Sequence, residues 1–170
     1  MAKRAFATQG VSFVATAQGA QTNNNYMALY GGSATQTIDL LEVLISGMAT
    51  SSIVTSMGVR RTATPNFATA AALVIPNTDG PMHPATAALT AAPAVFISAT
   101  TPPTTSTTIT DAALNLALNA FGGIIRWNAA PTQQWTILGN TFPFAAVLQN
   151  GTGGGASTAT MNAHFIYEPY

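Results

Sequence analysis

Catalysis and metal binding need side chains that ionise, attack or ligate, and this sequence holds few: five acidic residues, five basic ones, two histidines and no cysteine among 170 residues. General acid–base work needs a matched acid and base, and nucleophilic work needs a base beside the attacking atom. Serine and threonine are abundant, but no Gly-x-Ser-x-Gly elbow occurs and neither histidine stands in a motif. His83, between Met82 and Pro84, reads as a loop residue, and His164 as a hydrogen-bonding or interface residue on the polar side of a strand. Glu42 has no second carboxylate at a catalytic spacing. The reading is no catalytic residue and no enzyme.

Metal and cofactor chemistry fare no better. Asn77-Thr78-Asp79-Gly80 resembles the opening of a calcium loop, but no acidic residue closes it, so an ordinary Asp-Gly turn is the better reading. The glycines of 151–155 lack the following helix and lysine of a phosphate loop and read as an exposed turn. Without cysteine there are no disulfides, thiolate zinc sites or thiol nucleophile. Neither a cofactor nor a metal is expected.

The rare charges are better explained as structural. Asp39 and Glu42 fall on opposite faces of a strand whose other residues are mostly apolar, while Arg60, Arg61 and Arg126 sit at or near strand ends. A half-buried Glu42 needs a partner, and the arginine fork meets a carboxylate with two hydrogen bonds. An ion pair from Glu42 to Arg60, Arg61 or Arg126 would fix strand register. Trp127 and Trp135 flank the turn 128–134 and read as core or interface aromatics, the alternative being a sugar-stacking platform.

The elements that must position these residues are strands. Short apolar runs recur between clusters of Thr, Gly, Pro and Asn, the pattern of an all-β sandwich or barrel. Strands are predicted over 26–30, 36–46, 51–62, 94–99, 124–127, 135–138, 144–149 and 157–167. The segment 36–46 has apolar residues on both faces, Ile38, Leu40 and Leu44 against Leu41, Val43 and Ile45, and should be buried on both sides. Residues 110–121 could form a helix capped by Asp111, but Leu114, Leu116 and Leu118 recur at period two, which selects a strand. The strands 124–127 and 135–138 should answer each other across a hairpin-like connection. Along 157–167, Ala159, Met161, Ala163, Phe165 and Tyr167 alternate with polar residues, so one sheet face should be wet or meet a polar partner. The proline-rich stretch 63–93 reads as one long connection. Long cross-connections favour a single-domain jelly-roll-like β-sandwich over 26–170, preceded by an N-terminal arm over 1–25.

Composition says what such a body is for. Only 6% of residues are charged, against roughly 25% in an ordinary soluble domain, and the formal net charge is zero. Nothing electrostatic opposes self-association, and hydroxyl and amide side chains can be covered without the desolvation penalty of an ion. The surfaces read as built to be covered by other protein, in a shell, fibre or lattice. No basic stripe is present to neutralise phosphates, so direct nucleic-acid binding is not expected. Mean hydropathy is positive, but no run approaches the roughly 18 apolar residues of a membrane span. Lys3 and Arg4 resemble the start of a secretory signal, which Gln9, Gly10 and Ser12 interrupt.

Four segments carry a resemblance. Ile38-Asp39-Leu40-Leu41-Glu42-Val43, then Val59-Arg60-Arg61-Thr62, then the run from Phe121-Gly122-Gly123 through Arg126-Trp127-Asn128 to Pro131, and a terminal Tyr167-Glu168 resemble the capsid decoration, or cement, proteins of tailed bacteriophages. The likeness covers most of 36–170 and leaves out 1–35. It implies a jelly roll or related β-sandwich, a homotrimer, no enzymatic activity, the major capsid protein of the phage head as partner, and a place on the outer capsid surface after synthesis in the host cytoplasm. Residues 1–25, with some strand character over 11–14, would then be an attachment arm, with Phe6, Val11 and Phe13 as apolar anchors and Lys3 and Arg4 meeting acidic groups on the shell; the alternative is an N-terminal strand folded back on its own sandwich. Other readings are a shell-forming jelly-roll capsid protein and a carbohydrate-binding fibre or envelope module.

Overall fold

The computed structural model describes residues 6–7, 11–15, 25–31, 33–62, 71–73, 94–97, 111–138, 145–150 and 159–169. Within them the protein is all-β: β1 (Phe6–Ala7), β2 (Val11–Ala15), β3 (Asn25–Tyr30), β4 (Thr37–Gly47), β5 (Val54–Thr62), β6 (Ala71–Leu73), β7 (Ala94–Ile97), β8 (Asp111–Asn119), β9 (Ile124–Asn128), β10 (Trp135–Leu138), β11 (Ala145–Asn150) and β12 (Ala159–Pro169). Among the described residues no helix is long and apolar enough to cross a membrane. Lys3, Arg4, His83, the turn 77–80 and the glycines of 151–155 lie outside the described residues.

Two six-stranded antiparallel sheets share the core. The first is built on the long pair β12–β4: β1 and β2 both run along the outer side of β12, and β9 and β10 both run along the outer side of β4. The second has the order β6-β7-β3-β11-β5-β8. Its β6, on the predicted connection 63–93, is a short alanine-rich strand held by β7, a pairing that three residues cannot announce by pattern. The period-two leucines of β8 resolve as chosen, with Val59 opposite Leu114, Met57 opposite Leu116 and Thr55 opposite Leu118.

Aromatic residues join the parts. Phe13 of β2 stacks on Tyr26 of β3 at 4.6 Å between ring centres, bringing the two sheets together, and Phe6 lies over its cross-strand neighbour Tyr167 at 6.0 Å. All four rings are buried, and fully burying a large apolar side chain contributes roughly 1.5–3 kcal/mol. On β12 the expected alternation holds: Ala159, Met161, Ala163, Phe165 and Tyr167 are buried, and the residues between them through Ile166 are half-buried.

Three local expectations are corrected. The described part of the N-terminal segment is not a free arm. Phe6 pairs with Tyr167, Ala7 with Ile166 and Val11 with Ala163, so β1 and β2 both lie along the outer edge of β12. Phe6 and Phe13, expected as anchors on another protein, are buried in the chain's own core. Phe6 and Phe13 gain more from burial beside the otherwise uncovered side of β12 than from solvent.

Secondly, β9 and β10 form no hairpin. Both pair with β4, β9 from Ser46 to Glu42 and β10 from Leu40 to Thr37, so they lie end to end along one edge. Residues 129–134 loop out opposite Leu41 and are tied back by the Ala129 amide donating to the Leu41 carbonyl, 2.8 Å. Thirdly, β4 is not regular. Tyr167 pairs with Leu40 while Ile166 pairs with Glu42, so Leu41 is an extra residue. This bulge turns Ile38, Leu40, Val43 and Ile45 all toward the core, and it puts Asp39 and Glu42 on the same outer face rather than on opposite ones.

Candidate functional site

The outer face of the first sheet collects three of the five acids. In an antiparallel ladder directly opposed residues share a face, so the register can be read across the strands as rows. One row is Ser12–Asn162–Ser46–Ile124, the next His164–Leu44–Arg126, then Ile166–Glu42–Asn128, then Glu168–Asp39–Thr136. The Ser12 hydroxyl donates to the Asn162 side-chain oxygen across the first row. In the last, the Thr136 hydroxyl donates to Asp39 Oδ1 at 2.7 Å.

Arg126 bridges two rows to reach Glu42. Its Nε donates to Oε1 at 2.8 Å and its Nη2 to Oε2 at 2.7 Å, a two-bond fork that occupies both carboxylate oxygens. The Glu42 side chain is 10% exposed and that of Arg126 is 60% exposed, so the pair is buried on one side only. The hydrogen bond to Glu42 and then its negative charge raise the guanidinium above its ordinary pKa. The pair joins β4 to the edge strand β9, and Arg126 is one of the three partners expected for Glu42. Arg60 and Arg61, the other two candidate partners, belong to β5 of the second sheet, where the register sets them opposite Ala112 and Asp111. Among the described residues no group of three or more His, Asp or Glu side chains could hold a metal ion.

The tryptophans lie on the opposite side of the same edge. Trp127 pairs with Val43 and Trp135 with Leu40, both core positions, and both rings pack against the core. Their centres are 6.1 Å apart and their planes inclined at 56°, an arrangement unlike the coplanar exposed rings of a sugar platform.

The most distinctive exposed surface was not foreseen from motifs. Where β4 leaves the first sheet and β8 turns into β9, two segments are knitted together: the Gly47 amide donates to the Gly123 carbonyl (2.8 Å), Ala49 to Ala120 (2.9 Å), and Ala120 to Ile53 (2.7 Å). Asn119 clasps the junction from its side chain, accepting from the amides of Phe121 (3.0 Å) and Ile53 (3.3 Å) and donating to the Ser52 hydroxyl (2.8 Å). Around this frame Met48, Val54, Phe121 and Ile124 stand exposed. The available signal was the charge-free character of two stretches, 43–59 and 112–125, that meet here.

No family model, curated protein or solved structure matches the chain. What defines its described part is the architecture: an all-β body of two antiparallel sheets, with Asp39, Glu42, Glu168 and Arg126 on the outer face of the first.

Proposed function

We propose that this protein is a structural component of a virion: a decoration, or cement, protein that binds the outer capsid surface of a tailed phage as a homotrimer, on a jelly-roll-like body. The observation that carries this reading is the surface. With 6% charged residues and Glu42 and Arg126 committed to each other, the chain offers other proteins mainly apolar, hydroxyl and amide groups. Such faces are covered at little desolvation cost. The four-segment resemblance to decoration proteins points the same way. Attachment then rests on the faces of the body, because Phe6 and Phe13 are occupied within the core. The partner is the major capsid protein, with no catalytic step.

The test adds purified protein to phage heads that lack it. Saturable binding in fixed ratio to the major capsid protein, with a higher temperature of head disruption, supports decoration. No binding at micromolar concentration overturns it, and spontaneous assembly of the protein alone into closed particles identifies a shell-forming protein instead.

A further inference from the structure

We propose that Met48 is a modification site: its thioether takes one oxygen atom from hydrogen peroxide in the folded protein, while the methionines of the core are spared. The sequence has six methionines and no cysteine, so no thiolate competes for a two-electron oxidant. Met1 and Met82 lie outside the described residues, and the fold divides the other four sharply. Met27 on β3, Met57 on β5 and Met161 on β12 are each 0% exposed and belong to the core, whereas Met48 is 51% exposed. Peroxide must reach the sulfur before it can react, so exposure orders the rates.

The backbone fixes this exposure. Met48 follows β4 directly, and its amide donates to the Thr160 carbonyl at 2.8 Å. The residues on either side are held as well, the Gly47 amide donating to the Gly123 carbonyl (2.8 Å) and the Ala49 amide to the Ala120 carbonyl (2.9 Å). The side chain is therefore presented to solvent by a hydrogen-bonded segment, with no local opening of the sheet required. Peroxide is small and uncharged, so it needs neither a recognising charge nor a pocket beside the sulfur.

The step balances between the two reactants. A lone pair of the Met48 sulfur attacks one peroxide oxygen, the S–O bond forms as the O–O bond breaks, and proton transfer lets the second oxygen leave as water. The sulfur is oxidised by two electrons and the peroxide is reduced by two. The product, methionine sulfoxide, is polar. At Met48 water solvates the new oxygen and the fold is kept. At Met27, Met57 or Met161 the same oxygen would enter the hydrophobic core, where a buried polar atom without a hydrogen bond opposes the folded state. Access and product stability thus both confine the reaction, among these four, to Met48. Burial alone decides this, with no need of a capsid.

Peptide mapping by tandem mass spectrometry, on the full chain sampled over time in hydrogen peroxide, reads the rate of oxygen addition at each methionine. In the native protein Met48 should react at least about tenfold faster than Met27, Met57 and Met161. In urea the four rates should converge. Protein carrying the sulfoxide at Met48 should keep the circular dichroism and melting temperature of the untreated chain. Native rates at Met48 no faster than those of the core three overturn the inference, as does a sulfoxide at Met48 that unfolds the protein. A difference that persists in urea also overturns it, because it would then arise from local sequence and not from the fold.

Discussion

Arg126 and Glu42 are joined by a two-bond fork, 2.8 and 2.7 Å, that spans from the edge strand β9 to the central strand β4. The two ends of the fork live in different media, since the carboxylate is nearly buried and the guanidinium largely exposed. The substitutions should therefore be unequal. Arg126→Leu leaves a buried carboxylate without its partner, whereas Glu42→Gln leaves an exposed guanidinium that water can solvate. Both should lower the melting temperature, Arg126→Leu by more. Equal losses in thermal unfolding would mean that the carboxylate is better solvated than its burial implies.

The N-terminal strand should be part of the folding unit. Phe13 is 2% exposed and stacked on Tyr26, so Phe13→Ala should cost about 3–5 kcal/mol in chemical denaturation. Deleting residues 2–20, which a dispensable arm would tolerate, should lower stability further by stripping the outer side of β12. An unchanged unfolding midpoint in either variant would restore the arm.

Thr132 has φ 67° in the exposed loop between β9 and β10. The Gln133 amide donates to the Ala130 carbonyl at 2.9 Å, closing a turn with Pro131 second and Thr132 third. Positive φ at that third position suits glycine, and a β-branched residue there is strained. Thr132→Gly should stabilise the protein by about 1 kcal/mol, the relief of strain exceeding the added chain entropy. A lower melting temperature would contradict the turn geometry.

Gly47 and Gly122 should respond differently to alanine. At Gly47 the new methyl meets the Ala120 backbone within 2.4 Å, so the junction itself must shift, at a cost of about 1–3 kcal/mol or more. At Gly122, with φ +73° and nothing within 4 Å of the added carbon, only backbone strain of about 1 kcal/mol is expected. Thermal melts of the two variants, with amide exchange at Ala49 and Ala120 as a local readout, compare them. Similar melts and unchanged exchange in both would argue against the close packing of the junction.

The amino-acid sequence by itself determined the all-β class, the strand nature of 111–119 and the two-sided character of β12, because each rests on a period-two pattern that acts locally. It also narrowed the partner of Glu42 to three arginines, through scarcity of charge. Tertiary structure alone decided which arginine, because register is a property of two strands and, of the strands that carry those arginines, only β9 lies beside β4. The same holds for the Leu41 bulge, which strict alternation cannot reveal: one extra residue reverses the facing of every side chain beyond it and brings Asp39 and Glu42 to one side. It holds for β1 and β2, whose aromatic residues are anchors in either setting and become core only because β12 has a side to cover. Exposure is the extreme case. Met48, Val54, Phe121 and Ile124 carry nothing along the chain that tells exposed from buried, because exposure depends on which strands lie beside them, and the fold leaves all four exposed.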